Sequence, residues 1–413
     1  MKVRGYRYTL GLGLAVLLLA SPFASLSEEK QSPVKIGGAL RVGYAYGTYG
    51  TEENPHRRGE NIGDADLEIF RLNADLNYDK ISGRIEYRWY DNYSMFHTAW
   101  LGYNLGELGM VKAGIVRAPF GPGPYGVSSS WFFDQHFYVG LADDMDTGIR
   151  WSNTFGKLAL DAAYYLTSEF QTDGSSIASS RYSYDIVPWD EKADEDGKVE
   201  WDAGENGYDE QHQINLRGIY TLEKVADVGV SIQYGMLKPT EDIVDDGANH
   251  YAVSAHMKNV FSDFTLFTQF SYFAHNITDE TPWGTGDLIP MGAYDFAWPI
   301  ASKGMIPAFS LRYNGVDASG ITWLNSVTPY IEGSTIMKSV EGYNNSTLVV
   351  LGASWTLFGA LYTYSDFALS NGNSFVGNDG DTYDNIYTGA GDYGANGNDK
   401  WNWRMNFNFG YYF

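Results

Sequence analysis

Apolar and polar residues alternate along most of this chain, in segments of about ten residues. Between Phe70 and Tyr78, for example, every second residue is apolar or aromatic, and the residues between them are polar or charged. A period of two is typical of β-strands with one apolar and one polar face. After the first 27 residues, no segment keeps the period of an amphipathic helix. The pattern therefore predicts an all-β protein.

About 16 segments of this kind follow one another, and an even number is what a single-chain bacterial β-barrel requires. The last segment is the sharpest, with large apolar residues at every second position from Trp401 to Phe413. The predicted strands begin near Gly37, Glu68, Gly83, His97, Gly109, Asp146, Leu158, Gln211, Val228, Asn249, Phe264, Met305, Ser326, Asn345, Ala360 and Lys400.

The connections between these segments alternate in length. Turns as short as Asp79–Ser82 are followed by much longer loops. Short turns at one rim and long loops at the other are typical of outer-membrane barrels, whose long loops face the outside of the cell. The predicted long loops are roughly 51–66, 118–145, 170–210, 239–248, 276–304 and 373–399.

The charges on the polar faces indicate which side of the strands meets lipid. A soluble barrel would bury its apolar faces, but an interior of this many aromatic side chains would need a very large barrel with nothing to fill it. A wet interior and a hydrocarbon-facing exterior fit the pattern better. Because backbone groups in lipid need partners within the protein, we expect a closed transmembrane antiparallel β-barrel of about 16 strands.

The first 27 residues predict a secretory signal peptide, and residues 28–413 are then the outer-membrane barrel. Three basic residues precede an apolar stretch from Leu10 to Ala20, and Ser25 and Ser27 occupy the positions of a cleavage site. The stretch is shorter than the ~20 residues of a membrane helix, although an N-terminal anchor is the alternative. We therefore expect export to the bacterial outer membrane.

Charge and composition exclude several classes of function. The chain has 51 Asp and Glu against 28 Lys and Arg, a formal charge of −23, which argues against a nucleic-acid partner. Without Cys it holds neither a disulfide nor a Cys-ligated metal. From Glu169 to Gln211 there are 13 Asp or Glu against three Lys or Arg, so we expect residues 170–210 to be an acidic extracellular loop.

The acidic loops have two interpretations. They either form a solvated surface or bind Ca²⁺, which prefers oxygen-rich turns. Neither candidate turn completes a calcium-binding loop with its terminal Glu, and apart from this possible loop-bound Ca²⁺ we expect no cofactor. The candidate Ca²⁺ ligands are Asp194, Asp196, Asp379 and Asp381.

Residues 118–145 are unusually long for a connection without regular structure. They contain three Pro, several Gly and a run of aromatic residues from Trp131 to Phe133. Such a loop is expected to pack inside the barrel, although an aromatic extracellular loop is the alternative. We therefore predict a constriction loop that folds into the lumen. Its candidate functional residues are Arg117, Phe120, Trp131, Phe132, Asp134 and His136.

Three short sequences carry a resemblance to a known family. They are Phe70–Leu72 in an alternating strand, Val111–Gly121 (VKAGIVRAPFG) and Asp146–Ile149. In these motifs the chain resembles the porin family that includes the phosphate-selective porins O and P, and its terminal Phe413 resembles the sorting signal of outer-membrane barrels. The resemblance implies a homotrimer of 16-stranded barrels, with the loop after the Pro-Phe-Gly turn inside the lumen. Phosphate selectivity is not implied, because this chain lacks a dense ladder of cations.

Arginines on the polar faces are the candidate residues of the pore wall. Charges at membrane depth are unfavourable unless they face water or partners, so these side chains are expected to point into the lumen. They either pair with carboxylates and stiffen the wall, or guide anionic and polar solutes with their forked donors. The predicted pore-lining residues are Arg71, Arg84, Glu86, Arg88, Arg150, Arg217, Arg312 and Arg404.

These features together predict an outer-membrane porin for passive diffusion of small hydrophilic solutes or ions. One alternative is a channel selective for anions such as phosphate or for sugars, and another is a barrel enzyme or adhesive scaffold with a plugged lumen. No G-x-S-x-G, H-E-x-x-H or P-loop pattern is present, so we do not expect an enzyme. The expected partners are solutes, outer-membrane lipids, lipopolysaccharide and further copies of the chain.

Overall fold

The structure, a computed structural model, describes residues 32–47, 63–174, 180–193, 199–203, 206–240, 243–281, 284–373, 375–376 and 401–413. The predicted signal peptide and the candidate Ca²⁺ ligands Asp194, Asp196, Asp379 and Asp381 lie outside these residues. The described helices are two single 3-10 turns, Gly106–Leu108 and Phe137–Val139. None of the described residues form a helix that is long and apolar enough to cross a membrane.

Sixteen of the described strands close into one barrel, as the sequence predicts. Each strand is antiparallel to its neighbours, and each of the segments expected from the alternation forms one of them. Five further strands, β8 to β10, β15 and β16, lie in long loops. In chain order the strands are β1 Val34–Gly47, β2 Asp64–Tyr78, β3 Ile81–Trp89, β4 Ser94–Asn104, β5 Met110–Arg117, β6 Met145–Phe155, β7 Leu158–Ser168, β8 Asp185–Ile186, β9 Trp189–Ala193, β10 Val199–Ala203, β11 Tyr208–Leu222, β12 Ala226–Pro239, β13 Asn249–Phe261, β14 Phe264–Asn276, β15 Leu288–Ala293, β16 Phe296–Ala301, β17 Lys303–Tyr313, β18 Leu324–Lys338, β19 Ser346–Leu357, β20 Leu361–Ser370 and β21 Asn402–Tyr412.

The two faces of each strand meet different surroundings. In β12, Val230, Ile232 and Tyr234 are 50–59% exposed on the outside, whereas Ser231 and Gln233 between them are at most 5% exposed on the luminal side. Such a distribution is the reverse of a water-soluble barrel, and it repeats on the other barrel strands. The apolar exterior is suited to hydrocarbon, as the alternation predicts.

The connections sort to the two ends of the barrel by length. One end carries turns as short as residues 79–80 and 156–157, with residues 314–323 as its longest connection. The other end carries the long loops, which include residues 118–144 and 169–207, together with one short hairpin at residues 90–93. The arrangement is that expected for the periplasmic and extracellular ends of an outer-membrane barrel.

Two of the long loops meet in a small antiparallel sheet, in which β15 pairs with β16 and with β8. Ile289, Met291 and Ile300 of this sheet are buried in one apolar cluster with Phe137 and Leu141 of residues 118–145. The cluster also contains luminal side chains of the barrel wall. The sheet therefore fills part of the lumen at the long-loop end.

The acidic loop 170–210 is only partly the solvated surface that its composition suggests. Its residues Tyr182, Tyr184 and Ile186 are at most 2% exposed. Most of its carboxylates follow position 189 in the sequence, whereas residues 180–187 are rich in aromatic and apolar side chains. The apolar part packs into the barrel because its hydrophobic surface is thereby removed from water.

The constriction loop, residues 118–145, crosses the lumen to the far wall. Ser128 Oγ donates to Glu332 Oε2 of β18 at 2.8 Å, and the backbone N–H of Trp131 donates to Asp366 Oδ2 of β20 at 3.0 Å. Since β18 and β20 are many strands away from β5 and β6, which hold the ends of the loop, these contacts place it inside the barrel. The predicted inward fold is therefore present.

A lysine on the outer face should destabilise the barrel far more than a lysine on the inner face of the same strand. Leu351 of β19 is 61% exposed on the outside, whereas Ser354 faces the lumen. We expect Leu351→Lys to lower the free energy of unfolding in lipid vesicles by about 2–4 kcal/mol. The matched Ser354→Lys variant should change it by less than about 0.5 kcal/mol. Equal losses, measured by urea unfolding, would contradict the assignment of the faces.

Cysteine pairs test the position of the constriction loop directly, because the chain has no native Cys. The hydroxyl oxygens of Ser129 in the loop and Ser310 in β17 lie 3.3 Å apart. We expect the Ser129→Cys, Ser310→Cys double variant to form an intramolecular disulfide on mild oxidation, as measured by thiol labelling. A control pair of Ser129→Cys with Ser262→Cys, in a turn at the opposite end, should retain free thiols. Free thiols in the first pair would show that the loop lies elsewhere.

Candidate functional site

A cavity of about 1060 Å³ runs through the part of the lumen that the constriction loop leaves open. On one side it is bounded by the luminal faces of β1, β2 and β3, and on the other by residues 125–138 of the loop. Its volume matches the upper end of sites for small molecules, so there is room for water and for small solutes.

Arginines from three successive strands form the first wall. Arg41 of β1, Arg71 of β2 and Arg88 of β3 all line the cavity, and their side chains are 13–25% exposed. Arg71 stands directly opposite Arg88 in the β2–β3 pairing, where like charges repel. Glu86 relieves that repulsion, because its Oε1 lies 3.3 Å from Arg71 Nη1 and 2.7 Å from Arg88 Nη2. The arginines are thus held in place by a buried carboxylate.

The charged side chains around the cavity are mainly positive, although the whole chain is strongly acidic. The described lining contains four arginines and only two carboxylates, Glu68 and Asp143. Glu68 pairs with Arg41 at 2.5 Å, and Asp143 pairs with Arg117 at 2.6 Å. The fourth lining arginine, Arg312, donates to the backbone carbonyl of Ser128 at 3.0 Å. The cavity therefore has an excess of positive charge.

Aromatic rings form a second part of the cavity wall, with some across from the arginines and some, such as Tyr412, beside them. Phe133 and Phe137 of the constriction loop stack with their ring centroids 4.1 Å apart, and Tyr90 and Tyr93 of the short hairpin stack at 4.9 Å. The two walls meet where the guanidinium of Arg88 lies 4.5 Å from the ring centroid of Tyr182, a cation–π contact. The aromatic residues of the lining are Tyr90, Tyr93, Tyr125, Trp131, Phe133, Phe137, Tyr138, Tyr182, Tyr294, Tyr362, Tyr364, Phe375 and Tyr412.

Asp134 and His136 of the constriction loop serve its internal structure. Asp134 accepts hydrogen bonds from the backbone N–H groups of Val127 and His136, both at 2.8 Å. The His136 ring bridges Asp134 Oδ1 and the hydroxyl of Ser271 on β14, at 2.7 Å from each. Both residues are buried and neither lines the cavity. Their positions thus explain the shape of the loop rather than contact with a solute.

The other predicted residues of the loop separate into packed and exposed groups. Phe120 and Phe132 are at most 3% exposed in the apolar cluster, whereas Trp131 lines the cavity. Arg117 belongs to the end of β5 and anchors the return of the loop through Asp143. Burial raises the pKa of a carboxyl, but the charge of Arg117 and the contacts with His97 and Tyr182 together outweigh it and hold the pKa of Asp143 well below its ordinary value.

The eight predicted pore-lining residues also fall into two groups. Arg71, Arg88 and Arg312 line the cavity, and the other five do not. Arg150 and Arg217 share the carboxylate of Asp161, each at 2.7 Å. Arg84 lies 2.7 Å from Asp75 and 2.6 Å from Glu86, while Arg404 is 1% exposed beside Trp131 and Phe132. Arg84, Arg150 and Arg217 are thus paired with carboxylates, the arrangement that the wall-stiffening alternative describes, whereas Arg404 packs against aromatic rings.

Several cavity residues were not among the predicted site residues. Arg41 carries a signal in the sequence, since it alternates with Leu40 and Val42, which are both 44% exposed on the outer face. Tyr182 and Tyr294 lie in long loops without any periodicity. Their place in the cavity wall follows from long-range packing and could not be inferred from local pattern.

Comparison with known proteins supports the fold alone. Neither models of protein families nor curated proteins match this chain. Among solved structures, it resembles the outer-membrane expressed OmpT of Vibrio cholerae with a TM-score of 0.52 and 11% identity, over 93% of this chain and 99% of that one. An anion-selective porin from Comamonas acidovorans gives 0.52 and 10%, over 93% and 100% of the chains.

OmpF of Salmonella typhi, in complex with daunomycin, is similar with a TM-score of 0.52 and 12% identity, over 92% of this chain and 97% of that one. The narrower resemblance to the family of porins O and P is not confirmed, because no family model matches. At this level of identity, the comparisons establish that the chain has the barrel fold found in bacterial porins.

Proposed function

We propose that this chain forms a water-filled channel of the bacterial outer membrane, through which small hydrophilic solutes diffuse passively. The observation that carries the proposal is the cavity of about 1060 Å³ inside a closed barrel with an apolar exterior. Arginine guanidinium groups, tyrosine hydroxyls and Ser128 to Ser130 give the cavity polar groups that can replace part of the hydration of a solute.

The proposed channel has no enzymatic activity, and a serine of its lining has a structural role. The hydroxyl of Ser128 contacts Glu332, which also accepts hydrogen bonds from Ser129 and Ser310 and so serves as an anchor of the loop. A homotrimer, which the resemblance of the sequence motifs implies, is part of this proposal. The apolar exterior supports contact with outer-membrane lipids and lipopolysaccharide.

A substrate-selective channel for anions or sugars is the second candidate, and the two unlike walls of the cavity favour it. Guanidinium groups bind carboxylate or phosphate with two parallel hydrogen bonds. Aromatic rings on the facing side offer apolar surfaces on which a sugar ring could slide. A solute with an anionic group and a ring would contact both walls at once. Phosphate alone would use only the wall of Arg41, Arg71 and Arg88.

Planar bilayer recordings test the channel itself. We expect the purified protein to insert in discrete steps of conductance, and the reversal potential in a salt gradient to show a preference for anions, because the cavity has an excess of arginine. Absence of any conductance would overturn the proposal. Interruption of the current by a sugar acid, but not by the matching neutral sugar, would favour the second candidate over general diffusion.

Arginine variants test which charges set the preference. We expect Arg71→Gln combined with Arg88→Gln to move the reversal potential toward cation preference, because both side chains line the cavity and Glu86 keeps only Arg84 of its three arginine partners. Arg150→Gln is the matched control, since Arg150 is paired with Asp161 outside the cavity lining. An equal shift in the control would contradict the assignment of the arginine wall.

A further inference from the structure

Five carboxylates gather where the constriction loop returns to the barrel wall. They come from the end of that loop, from the start of β6, from the residue after β7, from β8 within the acidic loop and from the start of β11. All are at most 8% exposed. They are Asp144, Asp146, Glu169, Asp185 and Glu210. Three of the five are especially close together. Asp144, Asp146 and Asp185 each have a carboxylate oxygen within 4.8 Å of a carboxylate oxygen of the other two.

The positive charge beside this cluster does not balance it. Among the described residues, Arg181 is the one cation ion-paired with it, with Nη1 3.1 Å from Asp185 Oδ2. Burial, and then the charges of Asp146 and Asp185, raise the pKa of Asp144 well above its ordinary value. Five buried carboxylates beside one guanidinium need either protons or a further cation.

The hydrogen bonds of the cluster leave several oxygens without partners. Asp146 Oδ2 accepts from Gln213 at 2.8 Å, and Glu169 Oε1 accepts from the backbone of Tyr182 at 3.0 Å. Asp144 Oδ1, Asp146 Oδ1 and Glu169 Oε2 have no hydrogen-bond partner among the described residues, although they are buried. Buried oxygens without a partner fit a cation that they would ligate, and shared protons are the alternative that the experiment below separates from it.

We infer that Asp144, Asp146 and Asp185 bind a Ca²⁺ ion. Ca²⁺ takes carboxylate oxygens at about 2.3–2.6 Å, so two of its ligands can be at most about 4.6–5.2 Å apart. The three oxygens here lie within 4.8 Å of one another and meet that limit. Glu169 and Glu210 add negative charge around the ion. Asp185 and Glu210 also border a cavity of about 10 Å³, roughly the space of one coordinating water.

The site is separate from the two acidic turns that the sequence predicts as candidates for Ca²⁺ binding. It lies close to residues of the cavity wall. Asp144 follows Asp143, which anchors the constriction loop to Arg117, and Asp185 lies close in sequence to Tyr182 in the aromatic wall. A bound ion would therefore tie the end of the constriction loop to the acidic loop. It would hold two parts of the cavity wall in register.

Direct Ca²⁺ binding tests the inference without reference to conduction. Full-length protein in detergent, freed of lipopolysaccharide because that lipid binds divalent cations itself, is stripped with a chelator and titrated calorimetrically with CaCl₂. We expect one ion per chain in the wild type. Asp185→Asn and, as a second variant, Asp144→Asn should each weaken binding by about tenfold or more. Asp246→Asn, an exposed aspartate in another long loop, is the matched control and should bind as the wild type does.

Thermal unfolding gives a second readout that remains valid if one variant folds poorly. Ca²⁺ should raise the melting temperature of the wild type and of Asp246→Asn, but not that of Asp185→Asn or Asp144→Asn. In chelator, the Asn variants should melt at or above the wild-type temperature, because they relieve repulsion between carboxylates. No binding at millimolar Ca²⁺, equal binding of Mg²⁺, or unchanged binding in both variants would overturn the site. Stabilisation by acid alone, without any effect of Ca²⁺, would assign shared protons instead.

Discussion

Every backbone N–H and C=O group that meets hydrocarbon must find its partner within the protein, and the pairing of β1 with β21 is the contact that completes this condition. Once the barrel is closed, the alternation along each strand decides which side chains face the lipid and which face the lumen. Leu40 and Val42 point outward while Arg41 between them points inward. The lumen is therefore where charged side chains can reach water or a partner. The constriction loop and the cavity both depend on contacts with this inner face.

The inner face of the barrel supplies hydrogen-bond acceptors that the constriction loop lacks within its own backbone. The constriction loop has almost no regular structure, so its backbone N–H groups need acceptors other than its own carbonyls. Glu332 accepts from the N–H of Ser129, Asp366 from that of Trp131, and Asp134 from that of Val127. Buried carboxylates thus satisfy the backbone as well as the arginines. Replacing one of these carboxylates leaves buried N–H donors without an acceptor. Their role is therefore to hold the loop in place, even though they lie near the cavity.

The sequence predicts the local features of this molecule and few of its long-range ones. Strand positions and faces follow from the alternation, because each strand has lipid on one side and the lumen on the other. The pairing of Arg150 with Asp161 lies across one hairpin, where Asp161 stands opposite Ser152, but its geometry depends on a register that alternation does not state. The pairing of β8 with β15 joins segments about a hundred residues apart, for which the chain carries no periodic signal.

The opposite charges of the mouth and the cavity act at different ranges. The excess of carboxylates lies largely in long loops such as residues 170–210, whereas the cavity lining is enriched in arginine. Salt screens a field between exposed charges within about 10 Å, so the acidic loops act on a solute only near the mouth. Inside the cavity the arginines are largely buried among aromatic rings, and buried charges are screened less by salt than exposed ones. In the proposed channel, we therefore expect selection among solutes to depend on Arg41, Arg71 and Arg88 and not on the net charge of the chain.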